Sequence, residues 1–335
     1  MQELIEDDEI TEIMINGTDH IFVEKQGKIL ELEEIYHRDK TGRCDSADCS
    51  GFKPDCKRSF TDCGCKASGW FQSNVVLYPV ALNGPIVTIR KFRKNITMEQ
   101  LVQWEAVGPE LVPFLKRLME AKYNIFISGG TGSGKPFLNA LSDFIPKDER
   151  IITIEDNAEL RIQNVPNLVR LEARNANVEG TGEITIRDLI KSALRMRPSR
   201  IIVGEVRGRE AIDMLQSLNT GHCGASSGHS NSPEDMLSRL ETMVLMGMDI
   251  PLAAIQRQIA AGIDIIIHLG RLRDRSRKLL QIVEVLGYEE GKIQLQTLYE
   301  FQETKMVDGK IKGEWVKLHE IQNQEKLLAA GHSQA

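Results

Sequence analysis

Ile125-Phe126-Ile127-Ser128-Gly129-Gly130-Thr131-Gly132-Ser133-Gly134-Lys135-Pro136-Phe137-Leu138-Asn139-Ala140-Leu141 sets an apolar run, a glycine-rich turn, a lysine and a second apolar run in succession. The first run reads as a short buried strand and the last as a helix. Strand, glycine loop, lysine, helix is the order that a phosphate-binding loop requires. Glycines let the backbone wrap a polyphosphate, successive N–H groups turn inward, and the helix dipole favours the negative charge. Gly129, Gly134 and Lys135 meet the Gly-x-x-x-x-Gly-Lys spacing, so Gly130, Thr131, Gly132, Ser133, Gly134 and Lys135 are the candidate nucleotide-binding residues. The next position ordinarily carries a Ser or Thr hydroxyl for Mg²⁺. Here it is Pro136, which has neither a hydroxyl nor an N–H.

Downstream, short β-branched runs at 151–154, 169–171 and 201–203 alternate with amphipathic stretches at 185–196, 210–218 and 233–246. Such alternation predicts an α/β fold, an open and largely parallel sheet with helices on both faces. Ligands of such sheets lie at the carboxyl ends of the strands, where the glycine loop sits. Upstream, apolar and polar residues alternate over 10–40, with turn signals at Asn16-Gly17 and Gln26-Gly27. Strands continue at 74–82 and 86–89 around Asn83-Gly84-Pro85, which predicts a smaller α+β N-terminal domain over 1–93. Thr97 and Gln100 read as a capping box, and Pro109 opens a helix with Leu111, Leu115 and Leu118 on one face. The main domain is expected over 94–300, followed by a C-terminal extension over 301–335.

Two strands end in carboxylates. Ile201-Ile202-Val203-Gly204-Glu205 places an acid where it could orient a water beside a terminal phosphate. Ile151-Ile152-Thr153-Ile154-Glu155-Asp156, with Glu159 close behind, could position a metal or the attacking water. His222 and His229 lie in a Gly/Ser-rich segment and could sense a phosphate or a neighbouring subunit. Arg195, Arg197, Arg200 and Arg207 bracket the Glu205 strand as possible charge-neutralising contacts.

The 335 residues carry a net charge of -6, which argues against nucleic-acid binding, and 41% are hydrophobic. No apolar run reaches the ~18–20 residues that span a bilayer. The acidic start, Met1-Gln2-Glu3-Leu4-Ile5-Glu6-Asp7-Asp8, is unlike a signal peptide, and a cytoplasmic location is expected. Five of the six cysteines (Cys44, Cys49, Cys56, Cys63, Cys65) fall between Thr41 and Gln72 without a C-x-x-C pair, a spacing that argues against zinc.

The glycine loop, Ile152-Thr153-Ile154-Glu155-Asp156, Ile201-Ile202-Val203-Gly204-Glu205-Val206-Arg207-Gly208 and His229-Ser230-Asn231-Ser232 with Ser238-Arg239-Leu240-Glu241 behind it occur in that order. In that order they resemble the type II/IV secretion ATPase family, most of all its Tad/Flp pilus-assembly branch. Glu9–Gly17 and Thr88-Ile89-Arg90-Lys91-Phe92 resemble that branch's N-terminal domain and interdomain segment. The resemblance covers nearly the whole chain apart from about residues 41–73. It implies a RecA-like P-loop NTPase domain in a homo-hexamer, with an N-terminal domain that swings over each nucleotide site. ATP and Mg²⁺ would be the cofactors. The motor would lie peripheral to the cytoplasmic face of the inner membrane and act through a membrane-platform protein on pilin or secreted cargo, with no nucleic acid involved. By motif, Lys135 would bind phosphate, Glu155 and Asp156 would form an acidic box, and Glu205 would be the catalytic acid. His229 would belong to a histidine box, Arg90 would be a linker arginine near the nucleotide, and Mg²⁺ would be held through Glu155 and Glu205.

The chain departs from the family pattern in three places. Two threonines and a leucine are expected after the lysine, where Pro136-Phe137 stands one residue short. A second residue is wanting at Gly224-Ala225-Ser226-Ser227-Gly228, before His229. The third is the block Thr41–Ser73, whose composition resembles nothing in the family. Read from the second base of each codon, that block permits an amphipathic helix and the family's arginine-containing segment, and it rejoins the frame at Asn74-Val75-Val76. Thr41–Ser73 is therefore read as a frameshifted segment and its cysteines as accidental. The alternative to a working motor is a degenerate ring subunit that binds nucleotide, or is purely structural, without turnover; Pro136 favours it.

Overall fold

The computed structural model describes residues 2–7, 9–17, 20–25, 28–32, 71–91, 96–130, 134–176 and 181–332. Thr131, Gly132 and Ser133 of the glycine loop lie outside the described residues, as do Phe92, the five clustered cysteines and the 41–70 part of the block read as frameshifted. The chain divides into two units, Met1–Lys94 with Ala176–Thr181, and Asn95–Asn175 with Gly182–Ala335.

The smaller unit is a five-stranded antiparallel sheet beside a short helix, α1 (Gln2–Glu6). Its strands are β1 (Ile10–Asn16), β2 (His20–Lys25), β3 (Lys28–Leu32), β4 (Phe71–Val76) and β5 (Ile86–Lys91), in the order β3-β2-β1-β5-β4. Period-2 alternation puts Ile13, Ile21, Val23 and Ile89 in its core with Ile10. The strand expected over 74–82 ends at Val76. Beyond it Leu77, Tyr78, Val80 and Leu82 stand exposed in a turn, because Pro79 has no N–H for a ladder.

The larger unit is built on a nine-stranded sheet in the order β14-β13-β12-β11-β6-β10-β9-β7-β8. β6 (Ile125–Gly129), β7 (Ile151–Glu155), β8 (Leu168–Glu172), β9 (Arg200–Val203), β10 (Cys223–His229) and β11 (Ile265–Arg271) run parallel. On the β11 side the sheet continues antiparallel through β12 (Arg277–Glu289), β13 (Lys292–Val307) and β14 (Lys310–Lys317). Glu290-Gly291 and Asp308-Gly309, all at positive φ, turn these hairpins. The sheet is thus largely parallel as expected, six strands of nine, and residue 301 falls inside β13.

Helices cover both faces, so β6, β7 and β9 are buried throughout, while β8 at the sheet's edge is only partly covered. Ile125, Ile127 and Ile202 join one core with Leu115, Leu118 and Leu141, while Phe126, Ile201 and Val203 join the other with Leu215, Leu240 and Ile259. The first face is built by α2 (Met98–Gln103), α3 (Val112–Glu120) and α4 (Gly134–Ser142); the second by α5 (Ile186–Ala193), α6 (Ala211–Asn219), α7 (Pro233–Gly247) and α8 (Leu252–Gly262). α9 (Glu325–Ala329) contributes Leu327 to the first.

Local signals act as their chemistry requires. Thr97 and Gln100 make the capping box of α2, Thr185 and Asp188 that of α5, and the Ser232 hydroxyl accepts from Asp235 N at the head of α7. A single 3₁₀ turn, Pro109–Leu111, leads into α3. Despite Pro136-Phe137, α4 forms from Gly134 and buries Phe137, Leu138 and Leu141. The shortfall before His229 leaves no break: β10 pairs β6 and β9 without a shift of register.

Candidate functional site

The carboxyl ends of β6, β10, β9 and β7 stand side by side in that order. Register places His229 opposite Gly129, and Val203 opposite Ile154. Residues at those ends, or two beyond in the case of Glu205, therefore converge, which is why Gly129, His229, Glu205 and Glu155 gather although up to a hundred residues separate them.

His229 is the bridge. Its Nε2 lies 3.1 Å from Glu205 Oε1 and its Nδ1 lies 3.2 Å from the Gly129 carbonyl oxygen. Two acceptors on opposite ring nitrogens suit the imidazolium, which donates to both. The Glu205 carboxylate, chiefly, raises the imidazole above its ordinary value, against some burial. Arg207 grips the same carboxylate in a fork, Nε and one terminal nitrogen each at 2.8 Å. Burial would push Glu205 up, but His229 and Arg207 outweigh it and hold the carboxyl at about 2.

Glu155 is only 1% exposed. Its Oε1 accepts from the N–H of Glu159 and Leu160, and Oε2 accepts again from Leu160. Burial pushes its carboxyl up to about 7, against the Leu160 bond and the charge of Lys135. Gly204 is a requirement of this arrangement, since a Cβ there would lie 2.7 Å from Glu155 Cγ. The loop behind Glu155 is tied to α4, where Asn139 Oδ1 accepts from Arg161 N at 2.8 Å, and to β8, where Glu172 accepts from Ala158 N at 2.9 Å. Asp156 is exposed at the same strand end, with Arg207 among the charges acting on it.

Lys135 stands in the first turn of α4, 15% exposed, with Nζ 2.9 Å from Glu159 Oε1. Gly134 lets this turn approach β10, where an added Cβ would meet the Ser227 side chain at 3.0 Å. Gly130 is exposed just before the residues outside the description. Ser128 at the end of β6 is held from the far side by His268 of β11, Oγ to Nδ1 2.8 Å, both buried.

Other candidates lie elsewhere. Arg195 and Arg197 are exposed ahead of the amino end of β9, and His222 sits at the amino end of β10 with its Nδ1 3.3 Å from the Thr220 hydroxyl. All three are at the opposite edge of the sheet from Glu205. Arg200 is fully buried there, paired in a fork with Glu149 at 3.0 Å. Arg90 belongs to the smaller unit and lies 3.5 Å from Glu12 across β1 and β5. Sequence reading missed His268, Ser227 and the steric role of Gly204. A histidine inside the apolar run Ile265-Ile266-Ile267-His268-Leu269 was the available signal for the first.

Among the described residues the site fits a polyphosphate and lacks the hydroxyl ligand of Mg²⁺. Lys135 and the head of α4 offer a cation and a positive dipole end. The expected metal ligands are otherwise engaged: both Glu205 oxygens by His229 and Arg207, both Glu155 oxygens by backbone N–H groups. Pro136 supplies no hydroxyl, and no cluster of three or more His, Cys, Asp or Glu able to hold a metal occurs among the described residues.

The family profile described as "Type II/IV secretion system protein" matches residues 71–324. The chain belongs to this family. A Mycobacterium tuberculosis protein named for conjugal transfer is 34% identical over 310 residues, 89% of this chain and 87% of that one. Type IV secretion system protein VirB11 of Brucella suis is 36% identical over 189 residues, 54% of this chain and 52% of its own. Among solved structures, the fold matches the Legionella pneumophila ATPase DotB with a TM-score of 0.59 at 20% identity, over 86% of this chain and 80% of that one. It matches the ADP-bound pilus retraction motor PilT with a TM-score of 0.58 at 20% identity, over 88% of this chain and 80% of that one. No helix among the described residues is long and apolar enough to cross a membrane.

Proposed function

We propose that the protein is a hexameric motor ATPase subunit of the Tad/Flp pilus-assembly branch, with turnover impaired by Pro136. In this reading 1–93 form the N-terminal domain and the motor domain starts at 94, the residues after 300 completing its sheet and core. The ring lies at the cytoplasmic face of the inner membrane and acts through a platform protein on pilin or cargo. Lys135 binds the nucleotide's phosphates with the head of α4, Glu205 orients the attacking water, and His229 reports the state of the glycine loop. Arg90 is the linker arginine that the family motif implies. The carrying observation is the His229 bridge from the Gly129 carbonyl to Glu205, which couples the start of the phosphate loop to the acid at the end of β9.

The electrostatics limit how Glu205 can act. A carboxylate held at about 2 is a poor proton acceptor near neutral pH, so it orients water through a hydrogen bond unless Arg207 withdraws. Arg207 has room to move, its side chain being 63% exposed. A third reading, a DNA-translocating conjugation motor, shares the fold, but a net charge of -6 gives it no electrostatic support. The runner-up is a ring subunit without turnover, favoured by Pro136. ATP hydrolysis in Mg²⁺ by the chain and by Pro136→Thr separates the readings. Little turnover is expected of the chain and at least about tenfold more of the variant. Ordinary rates from the chain refute the impairment, and none from either protein favours the runner-up.

A further inference from the structure

Among its described residues the larger unit presents the phosphate-binding lysine of a nucleotide site and, beside it, a proline where the metal-binding hydroxyl belongs. A metal-dependent site holds Mg²⁺ by a hydroxyl beside the phosphate-binding lysine, by phosphate oxygens, and by waters that free carboxylate oxygens orient. The hydroxyl is missing here and three of the four nearby carboxylates are engaged, Asp156 alone standing exposed at the end of β7. Pro136 follows Lys135 inside the first turn of α4 and carries only hydrocarbon. Glu205 Oε1 meets both His229 Nε2 and Arg207 Nε, and Oε2 meets the other Arg207 nitrogen. Glu155 is turned inward over Gly204, its oxygens on the N–H groups of Glu159 and Leu160. Glu159 faces Lys135.

The cationic partners of a polyphosphate remain. A phosphate oxygen can replace Glu159 on Lys135, a one-for-one exchange of anions at a partly exposed ammonium. The N-terminus of α4 adds its dipole end. Arg207 and His229 stand at the neighbouring strand ends. Complexation by Mg²⁺ withdraws negative charge from the polyphosphate and so weakens its attraction to Lys135, and Pro136 has no hydroxyl with which to compensate by binding the ion.

We infer, resting on the nucleotide-site reading above, that this chain takes its nucleoside di- or triphosphate as the metal-free anion, so that affinity gains nothing from Mg²⁺. Pro136 is the residue that separates phosphate binding from metal binding.

The test is a calorimetric titration of the full chain with ATP and with ADP, once in EDTA and once in excess Mg²⁺, beside the thermal shift each gives. The expected Kd in EDTA equals that in Mg²⁺ within about twofold, or lies below it. Pro136→Thr is expected to bind about tenfold tighter in Mg²⁺ than in EDTA, and Lys135→Ala to lose the heat and the thermal shift in both. Binding by the unaltered chain that is about tenfold tighter in Mg²⁺ overturns the inference and leaves the nucleotide reading intact. No binding under either condition overturns the nucleotide reading itself. A Pro136→Thr protein that binds without regard to Mg²⁺ overturns the assignment to Pro136. The EDTA and Mg²⁺ comparison on the unaltered chain decides the central point even where a variant fails to fold.

Discussion

At the scale of single residues, the site turns on two carboxylates driven in opposite directions by their surroundings. Glu205 is held at about 2 and Glu155 is raised to about 7, although both lie at carboxyl ends of neighbouring strands. The difference is the company each keeps, two cations for the first and backbone N–H groups in a dry pocket for the second. Glu205→Gln is expected to lower the titration midpoint of His229 toward 6.5, because the carboxylate is the main cause of its elevation. Histidine-selective NMR over pH 5–9 measures it, and an unchanged midpoint contradicts the pairing. The pair also sets a pH window. A depressed carboxyl contributes stability above about 4.5 that is lost as pH falls toward about 2, and a raised imidazole contributes below 6.5 and loses it as pH rises past its folded value. Their joint contribution is therefore full between 4.5 and 6.5. Gly204→Ala is expected to cost about 1–3 kcal/mol in urea unfolding, since the new methyl meets Glu155 Cγ rather than a yielding side-chain tip.

At the scale of elements, α7 begins four residues past the end of β10, so its cap lies in the short link that follows His229. Ser232 Oγ accepts from Asp235 N at 3.0 Å, and Asp235 in return accepts from Asn231 N at 2.9 Å. Ser232→Ala is expected to cost about 1 kcal/mol by urea unfolding and Ser232→Asp to restore most of it. An alanine variant of unchanged stability would show the cap to be idle. The elements were legible to different degrees for physical reasons. Parallel strands buried on both faces read as unbroken apolar runs, so β6, β7 and β9 announce themselves. β12 to β14 lie half exposed in hairpins, where apolar runs are diluted, and only Asp308-Gly309 and Glu290-Gly291 mark their turns. β4 stops at Val76 because Pro79 cannot continue a ladder, a rule available from the sequence alone.

At the scale of the whole molecule, the C-terminal residues are part of the larger unit's core. Glu284 on β12 is 1% exposed and accepts from the N–H groups of Gln322 and Asn323, both at 2.8 Å, while Tyr123 donates to the Asn323 carbonyl. Ile321 and Leu327 complete the packing, each 2% exposed. Truncation after Leu318 strands a buried carboxylate and opens this core, with an expected loss of about 3–5 kcal/mol measured as the shift in urea midpoint. A truncated chain as stable as the full one would show the segment to be dispensable. By itself the sequence determined the strand–loop–helix around Lys135, the carboxylates at strand ends and the family, because these rest on local spacing and on the order of motifs along one chain. It also determined the loss at Pro136, since a missing hydroxyl is a matter of composition. Only the tertiary structure decided that His229 joins Gly129 to Glu205, that Arg207 sides with the site while Arg195, Arg197 and His222 lie at the far edge, and that Gly204 makes way for Glu155. Those facts depend on which strands are neighbours and in what register, and residues on different strands, up to a hundred apart in the chain, carry no local signal of meeting.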